Sequence, residues 1–387
     1  MSVTAPKGFV AAGVEAGIRH AKKDVAIVRS TERAVGGAMF TRNKVRAACL
    51  QVNRAHLDAA EPQAVVINSG VANSSTGAEG YANAAATAAH AAGLLGIETN
   101  EVLVLSTGVI GMHLPMDRLL AGVDEAVAAL ATDGGANAAE AIMTTDSKPK
   151  ETVVARDGFT VGGMAKGAGM IHPDLATMLS VITTDYPLEA GEATDLLRPA
   201  VDASFNAITI DGDCSTNDTV ILLANGASAI ERTPESDASF AAALLEASRD
   251  LARQIVADGE GATVLAEIHV RGAVDQPQAQ AIARRIATSL LVKTALFGHD
   301  ANWGRVLMAA GSAPYNGDYA DIDADRATLR YNDTVVLDRG APTNVEPDVS
   351  GPSCTIDLDL GLGDGSAAYL TSDLSYDYVR INADYRS

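Results

Sequence analysis

Cysteine is scarce in this chain of 387 residues, and its three cysteines, Cys49, Cys214 and Cys354, form no CxxC spacing. An odd, scattered set favours reduced thiols in a reducing compartment over a disulfide framework or a cysteine zinc site. The seven histidines are equally dispersed, so the sequence does not predict a metal cluster.

Positive charge is also in short supply. The chain has 29 lysines and arginines against 49 aspartates and glutamates, a formal net charge of −20. This balance argues against a general attraction to nucleic acid or anionic lipid. No run approaches the ~18 to 20 uncharged apolar residues that span a bilayer, and the N-terminus MSVTAPKGF lacks the layout of a signal peptide. We therefore expect a soluble, cytoplasmic protein with neither nucleic acid nor membrane as a partner.

Several common catalytic and nucleotide-binding motifs are missing. The sequence has no GxxxxGK[ST], no GxSxG and no HExxH. The segment GGMAKGAG (162–169) contains glycines and a lysine, but it does not follow a Rossmann strand at the required spacing. Nucleotide binding by this segment is therefore not expected.

The residues that are present predict an α/β protein with a substantial core. Hydrophobic residues make up 47% of the chain, and its length suggests two to three domain-sized units. Apolar strand-like runs alternate with helical periods, a pattern that favours mixed α/β layers. The runs are a strand at 64–70, a helix at 80–96, a strand at 101–111 and a helix at 115–131.

The pattern continues in the second half. Residues 150–167 alternate about Asp157-Gly158, which predicts a hairpin. The glycine-rich stretch 162–173 is typical of a loop, and the β-branched run 177–185 of a strand. Further predicted elements are helices at 188–203, 236–257 and 277–293 and strands at 263–270, 334–340 and 355–363.

Short polar segments end many of the apolar runs. Loops after strands often carry binding groups in α/β proteins. The same residue types also cap helices and close turns, and composition alone leaves both interpretations open. The segments are STG (106–108), TTD (144–146), KGAG (166–169), ATML (176–179), DGDCSTND (211–218), DGEGAT (258–263) and FGHDANWGR (297–305).

One of these regions resembles a known self-cleavage site. Residues 162–185 contain KGxGMI, a proline and ATML, and are similar to the ornithine acetyltransferase family, also called glutamate N-acetyltransferases, in which the chain is cut before that threonine. Other segments agree in order, so the resemblance runs from about residue 8 to the last residue. They are INSGVAN (67–73), STGVIG (106–111), AIMTTD (141–146), DGDCSTNDT (211–219), ADGEGAT (257–263), FGHDANWGR (297–305) and DYVRINADYRS (377–387).

The resemblance implies a role for each matching residue. Thr177 is the nucleophile once the Ala176–Thr177 bond is cut. Thr107 and Gly108 form the oxyanion hole. The implied substrate-binding residues are Thr144, Lys166, Thr177, Glu260, Asn382 and Ser387.

Two positions depart from the family's pattern. The family often ends in threonine, so Ser387 differs but keeps a hydroxyl group. Cys214 stands where threonine is frequent, which affects only the expected local packing. The segment DYVRINADY (377–385) has a strand-like pattern, and we expect it to bring the chain end to the active centre as a docked strand.

The proposed roles suit the residue types. Cleavage frees the α-amine of Thr177, whose ordinary pKa of ~7.7 to 8.0 allows it to take the hydroxyl proton. Each oxyanion-hole donor can contribute ~3 kcal/mol when it is preorganised. Lys166 suits a substrate carboxylate and Glu260 the cationic amine of ornithine, although each is also compatible with an ordinary surface charge.

The resemblance implies a ping-pong reaction in which N-acetylornithine acetylates Thr177 and glutamate then takes the acetyl group. No metal or bound organic cofactor is required. Some family members also use acetyl-CoA as a donor, so acetyl-CoA stays open as a co-substrate.

The implied fold is a four-layer αββα sandwich. Cleavage would give an α chain of residues 1–176 and a β chain of residues 177–387 that share one core. These chains are expected to assemble as a dimer of heterodimers.

Three other interpretations remain. A self-cleaving amidase or aminopeptidase would use water in place of glutamate. A relative from a secondary-metabolite pathway would keep the donor and change the acceptor. A non-catalytic binding relative would stay uncut and give one band of about 40 kDa.

Overall fold

A computed structural model describes residues 2–172 and 178–384. The chain divides into two compact units. The first comprises the described residues of 2–206 and 213–255, and the second comprises 207–212 and 256–384.

The strands of the described residues are numbered in chain order. They are β1 (Phe9–Val14), β2 (Val25–Ser30), β3 (Val35–Phe40), β4 (Ala64–Val71), β5 (Val102–Val109), β6 (Lys150–Arg156), β7 (Phe159–Lys166), β8 (Leu179–Thr184), β9 (Ile208–Thr209), β10 (Thr219–Ala224), β11 (Leu265–Ala273), β12 (Pro314–Tyr315), β13 (Asp318–Tyr319), β14 (Thr328–Tyr331), β15 (Thr334–Asp338), β16 (Ala341–Pro342), β17 (Ser353–Asp359) and β18 (Gly365–Ser372).

The helices are numbered in the same way. They are α1 (Ala48–Ala59), α2 (Gly77–Leu95), α3 (Met116–Ala128), α4 (Gly135–Ala141), α5 (Ala193–Asp202), α6 (Pro234–Ala257), α7 (Gln276–Ala287), α8 (Leu290–Phe297), α9 (Trp303–Ala310) and α10 (Tyr376–Asp384), with short 3₁₀ turns at Thr99–Glu101 and Phe205–Ala207.

Two sheets face each other in the first unit. Sheet 1 has the order β1-β2-β4-β5, and sheet 2 has the order β3-β10-β8-β7-β6. Buried apolar side chains from both sheets form one cluster between them, with Ile67 and Leu105 from sheet 1 and Met164 and Val181 from sheet 2. Sheet 2 combines strands that precede residues 173–177 (β3, β6 and β7) with strands that follow them (β8 and β10).

Helices cover the outer faces of the two sheets. Helices α1, α2 and α3 bury their apolar sides on sheet 1. Helix α5 contacts β3 and β10, and α6 lies against sheet 2, where the rings of Phe159 and Phe240 are 6.1 Å apart. The layers therefore run helix, sheet, sheet, helix, which confirms the predicted four-layer α/β sandwich for this unit.

The second unit is built on one mixed sheet with the order β16-β15-β14-β17-β11-β18-β9. Residues of α7, α8 and α9 join those of the sheet in a single buried cluster. Helix α7 begins at a side-chain cap, because Asp275 accepts from the Gln278 amide. The predicted helix at 277–293 is in fact two helices: α7 ends at Ala287, and Ser289 caps the start of α8 by accepting from the Val292 amide.

The predicted hairpin about Asp157-Gly158 is confirmed. Strands β6 and β7 pair antiparallel, with Arg156 opposite Phe159. The loop predicted at 162–173 is wrong for its first part, because β7 continues to Lys166. A Cβ on Gly162 would lie 2.2 Å from the carbonyl oxygen of Ser2. Glycine at 162 thus permits a close backbone approach to a strand and does not mark a turn.

The strand predicted at 377–385 is also wrong, because residues 377–384 lie in α10. Ser375 precedes the helix, and its hydroxyl accepts from the Tyr378 amide at 3.3 Å. This contact resembles a helix N-cap, a signal that outweighs the apparent alternation of apolar residues. In the described part of the chain, no helix is both long and apolar enough to cross a membrane.

Candidate active site

Thr107 and Gly108 lie where β4 and β5 end side by side. The strands pair in parallel, with Ser69 opposite Thr107 and Gly70 opposite Gly108. Gly108 has φ +131°, and a Cβ there would lie 2.2 Å from the carbonyl carbon of Gly70. Only glycine fits this crossing without movement of one strand. The Thr107 side chain is buried beside it.

Lys166 brings a buried cation to the same place. It is the last residue of β7, and its ammonium donates to the Thr107 hydroxyl at 3.4 Å. In sheet 2 Lys166 pairs with Leu179, the first residue of β8. The structure therefore brings Thr107, Gly108 and Lys166 together next to the start of β8.

Asp146 ties Thr144 to this cluster. Its carboxylate accepts from the Thr144 amide at 2.9 Å, from the Gly167 amide at 2.7 Å and from the Lys150 ammonium at 2.6 Å. The side chains of Asp146 and Lys150 are both fully buried. Burial on its own raises the pKa of Asp146, but the charges of Lys166 and Lys150 and the hydrogen bonds outweigh it and lower the pKa to about 2.

Asp146 is the last residue of the TTD segment, and the sequence alone predicts no separate role for it. A carboxylate two residues after Thr144 and four before a lysine was the available signal. The Thr144 loop has a further anchor, because the Arg19 guanidinium donates to the carbonyl oxygens of Met143 and Thr144, the latter at 3.0 Å.

The DGDCSTND segment enters the first unit next to the same strands. Asn217 donates its amide to the carbonyl oxygens of Ser106 and Ala72, both at 2.7 Å. Asp218 accepts from the Met178 amide at 3.0 Å. Cys214 contributes its backbone, since its carbonyl accepts from Asn43 at 3.0 Å. The three cysteines, all within the described residues, form no disulfide.

Glu260 and Asn382 lie in the second unit and contact each other. The Asn382 amide donates to a Glu260 carboxylate oxygen at 2.8 Å. The start of α10 packs on the turn that carries Glu260: Ser375 donates to the Gly261 carbonyl at 2.6 Å, and Gly261 has φ +69°. Helix α10, and not the predicted strand, places Asn382 beside Glu260.

Ala176, Thr177 and Ser387 lie outside the described residues, so their predicted roles stay predictions. Within residues 2–172 and 178–384, no group of three or more His, Cys, Asp or Glu side chains is arranged to hold a metal ion.

Comparison with known proteins identifies the family. A sequence profile of the ArgJ family matches residues 10–387. The chain belongs to the ArgJ family. The arginine biosynthesis bifunctional protein ArgJ of Symbiobacterium thermophilum is 45% identical over 100% of this chain and 98% of its own length. The protein of that name from Mycolicibacterium paratuberculosis is 48% identical over 100% of this chain and 96% of its own.

Two similar solved structures bear related names. The ornithine acetyltransferase of Mycobacterium tuberculosis, complexed with ornithine, is 46% identical with a TM-score of 0.43, and the match covers 44% of this chain and 94% of that one. The ArgJ protein of Bacillus halodurans is 37% identical with a TM-score of 0.41, covering 45% of this chain and 93% of that one. The predicted family, and with it an enzyme of arginine biosynthesis, is confirmed by the ArgJ match and the full-length relatives.

Proposed function

We propose that this enzyme transfers an acetyl group from N-acetylornithine to glutamate, with Thr177 as the acyl-carrying nucleophile after the Ala176–Thr177 bond is cut. Membership of the ArgJ family and the ordered motifs support this reaction class. The observation that carries the proposal is the buried Lys166 ammonium, 3.4 Å from the Thr107 hydroxyl and opposite Leu179 in sheet 2. This arrangement brings a cation and a hydroxyl donor next to the strand that Thr177 precedes.

In the first half-reaction the Thr177 hydroxyl attacks the acetyl carbonyl, and its proton passes to the free α-amine of the same residue. The Thr107 hydroxyl and the Gly108 amide donate to the carbonyl oxygen as it gains negative charge. Because Lys166 donates to the Thr107 oxygen, the hydroxyl proton of Thr107 is left for the oxyanion. The carbon–nitrogen bond then breaks, the leaving nitrogen takes the proton, and ornithine departs.

In the second half-reaction the amine of glutamate attacks the acetyl ester, and N-acetylglutamate leaves as the threonine hydroxyl regains its proton. Lys166 holds a substrate carboxylate. Glu260 holds the side-chain ammonium of ornithine, with its carboxylate oriented by Asn382. The proposed cycle takes place in the cytoplasm and uses no metal or bound organic cofactor, with acetyl-CoA as an alternative donor. The cut chains, 1–176 and 177–387, act as a dimer of heterodimers.

Intact mass of the purified protein tests this proposal. We expect two fragments that meet at Ala176–Thr177, and after incubation with N-acetylornithine we expect one added acetyl group on the fragment that begins with Thr177. Addition of glutamate should remove that group and yield N-acetylglutamate. Release of free acetate without glutamate would instead identify a hydrolase, and a single unmodified chain would identify a binding protein.

Neutralising Glu260 should weaken binding of the donor. We expect Glu260→Gln to raise KM for N-acetylornithine about 10- to 100-fold, because a hydrogen bond to a charged group contributes roughly 1.5–3 kcal/mol. Steady-state kinetics with both substrates provides the measurement. Asp364→Asn removes an exposed carboxylate from the same unit and should leave KM unchanged. An unchanged KM in Glu260→Gln would remove Glu260 from the donor site.

A methyl group at Gly108 should disturb the oxyanion hole. It would meet the Gly70 backbone at 2.2 Å, so the ends of β4 and β5 must separate. We expect Gly108→Ala to lower kcat about 10²-fold, the loss associated with a ~1 Å misplacement of catalytic groups.

Gly111→Ala is the matched control for this effect. Gly111 also has a positive φ, +81°, but an added Cβ there meets nothing within 4 Å. It should therefore cost only about 1–2 kcal/mol of stability, from the backbone strain. Equal kcat losses in the two variants would show that the close crossing at Gly108 has no special role in the reaction.

A further inference from the structure

Two consecutive side chains, Asn217 and Asp218, connect separate parts of the first unit. Asn217 is buried, and its amide nitrogen donates to the carbonyl oxygens of Ser106 and Ala72, both at 2.7 Å. Its own side-chain oxygen accepts from the Thr216 hydroxyl at 2.6 Å. Both amide protons and the oxygen are thus engaged, which fixes the orientation of the side chain. The carbonyl of Ser106 belongs to the peptide group whose nitrogen is that of Thr107.

Asp218 acts in the same way on the other strand. Its carboxylate, fully buried, accepts from the Met178 amide at 3.0 Å. The next residue, Thr219, donates its amide to the Met178 carbonyl at 3.1 Å. Both peptide groups of Met178 are therefore held by residues 218 and 219. The Met178 amide that Asp218 holds is part of the peptide bond that joins Met178 to Thr177.

We propose that Asn217 and Asp218 are positioning residues that fix β5, which carries Thr107 and Gly108, relative to the start of β8, which follows Thr177 in the chain. The inference rests on the proposed acetyl transfer at Thr177. The Asn217 side chain binds the peptide group between Ser106 and Thr107. The Asp218 side chain binds the peptide group between Thr177 and Met178. Because residues 217 and 218 are covalently adjacent, their side chains together fix the distance between these two peptide groups.

The physical benefit is preorganisation. An oxyanion hole stabilises a tetrahedral intermediate only when its donors already point at the place where charge develops. A ~1 Å misplacement of groups in such a site costs about 10²-fold in rate. Hydrogen bonds from Asn217 and Asp218 to backbone groups of the two strand ends resist such a misplacement directly.

The test compares Asn217→Ala with Asn53→Ala. Asn53 is also a buried asparagine that holds β5: it donates to the Val104 carbonyl at 2.8 Å and accepts from the Val104 amide at 2.8 Å. Both variants lose two hydrogen bonds to the backbone, but Val104 lies farther from Thr107. The measurements are Tm, the cleaved fraction by intact mass, and kcat and KM per cleaved molecule.

We expect Asn217→Ala to lower kcat about 10- to 100-fold per cleaved molecule, with KM within threefold of wild type, and to slow self-cleavage. Asn53→Ala should lower Tm by a similar amount and keep kcat within threefold. Equal kcat values in the two variants would overturn the inference and assign Asn217 a purely structural role.

Variants of Asp218 give an independent test if Asn217→Ala does not fold. Asp218→Asn keeps a side-chain oxygen that can accept from Met178, whereas Asp218→Ala does not. We expect Asp218→Asn to retain most of the kcat that Asp218→Ala loses, and equal losses would contradict positioning through Met178. If the wild-type chain does not cut itself or does not carry an acetyl group on Thr177, the proposed function is wrong. If the wild type does both and the variants keep wild-type kcat, only the positioning inference is wrong.

Discussion

Thr177→Ala is expected to remain a single uncut polypeptide and to lose acetyl transfer. In the proposed mechanism, the substitution removes the one hydroxyl oxygen that attacks the Ala176 carbonyl during cleavage and later carries the acetyl group. Without the cut, residue 177 also has no free α-amine to act as base. Loss of a nucleophile together with its base lowers kcat by roughly 10⁴-fold or more in comparable enzymes. A denaturing gel and an assay for N-acetylglutamate give the two readouts.

Thr177→Ser separates the hydroxyl from the rest of the threonine side chain. Serine keeps the oxygen and, after cleavage, the α-amine, so we expect two fragments and substantial residual transfer. Full activity in an uncut Thr177→Ala chain would disprove the proposed mechanism. An inactive but fully cut alanine variant would confine the role of Thr177 to the transfer step.

Lys150→Met is expected to cause the largest loss of stability. The ion pair between Lys150 and Asp146 is completely buried, with 2.6 Å between the ammonium and the carboxylate. Lys150 is one of two cations that offset the buried Asp146 charge, and removal of one partner from a buried pair typically costs about 3–5 kcal/mol. Urea denaturation at neutral pH measures this loss. Lys23→Met, which breaks the partly exposed pair with Glu140, should cost at most about 1 kcal/mol.

The pH dependence of the Lys150→Met effect follows from Asp146. Its pKa in the folded protein, about 2, lies below the ordinary value of 3.8. A lowered carboxyl pKa contributes stability that is complete above the ordinary value and disappears as the pH falls through the folded one. The stability difference between wild type and Lys150→Met should therefore shrink between about pH 4 and pH 2. A difference that stays constant over this range would show that Asp146 is not the partner that matters.

The sequence was most informative where burial leaves a continuous signature. Strands β4 and β5 are covered on both faces and accordingly begin with the unbroken apolar runs AVVI and VLVL. The αββα layering was implied only by the family resemblance, because alternation of elements does not say which faces meet. The loop predicted at Gly162 was wrong because glycine there allows the backbone of Ser2 to approach a strand. The strand predicted after Ser375 was wrong because the Ser375 hydroxyl accepts from the Tyr378 amide at the start of a helix.

The candidate site was predictable only in part, because its key contacts join distant residues. Asn217 is 111 positions from Ser106 and 145 from Ala72, and no local pattern announces such hydrogen bonds. Asp146 and Lys150 have the spacing of a surface ion pair on a helix, yet Asp146 lies in the connection between α4 and β6, and Lys150 is the first residue of β6. Their burial comes from the tertiary fold, which the spacing does not report.

The strand order of sheet 2 determines whether two fragments of the chain would stay associated after a cut. Strands β8 and β10, which follow residue 177, are inserted between β3 on one side and β7 and β6 on the other. After a break between β7 and β8, the later fragment would still pair with the earlier one on both sides, through β10 with β3 and through β8 with β7. The two fragments could therefore separate only by unfolding. The covalent connection between β7 and β8 would thus be needed while the chain folds and would not be needed once sheet 2 has formed. Fragments made separately should assemble far less readily than a precursor that is cut in place.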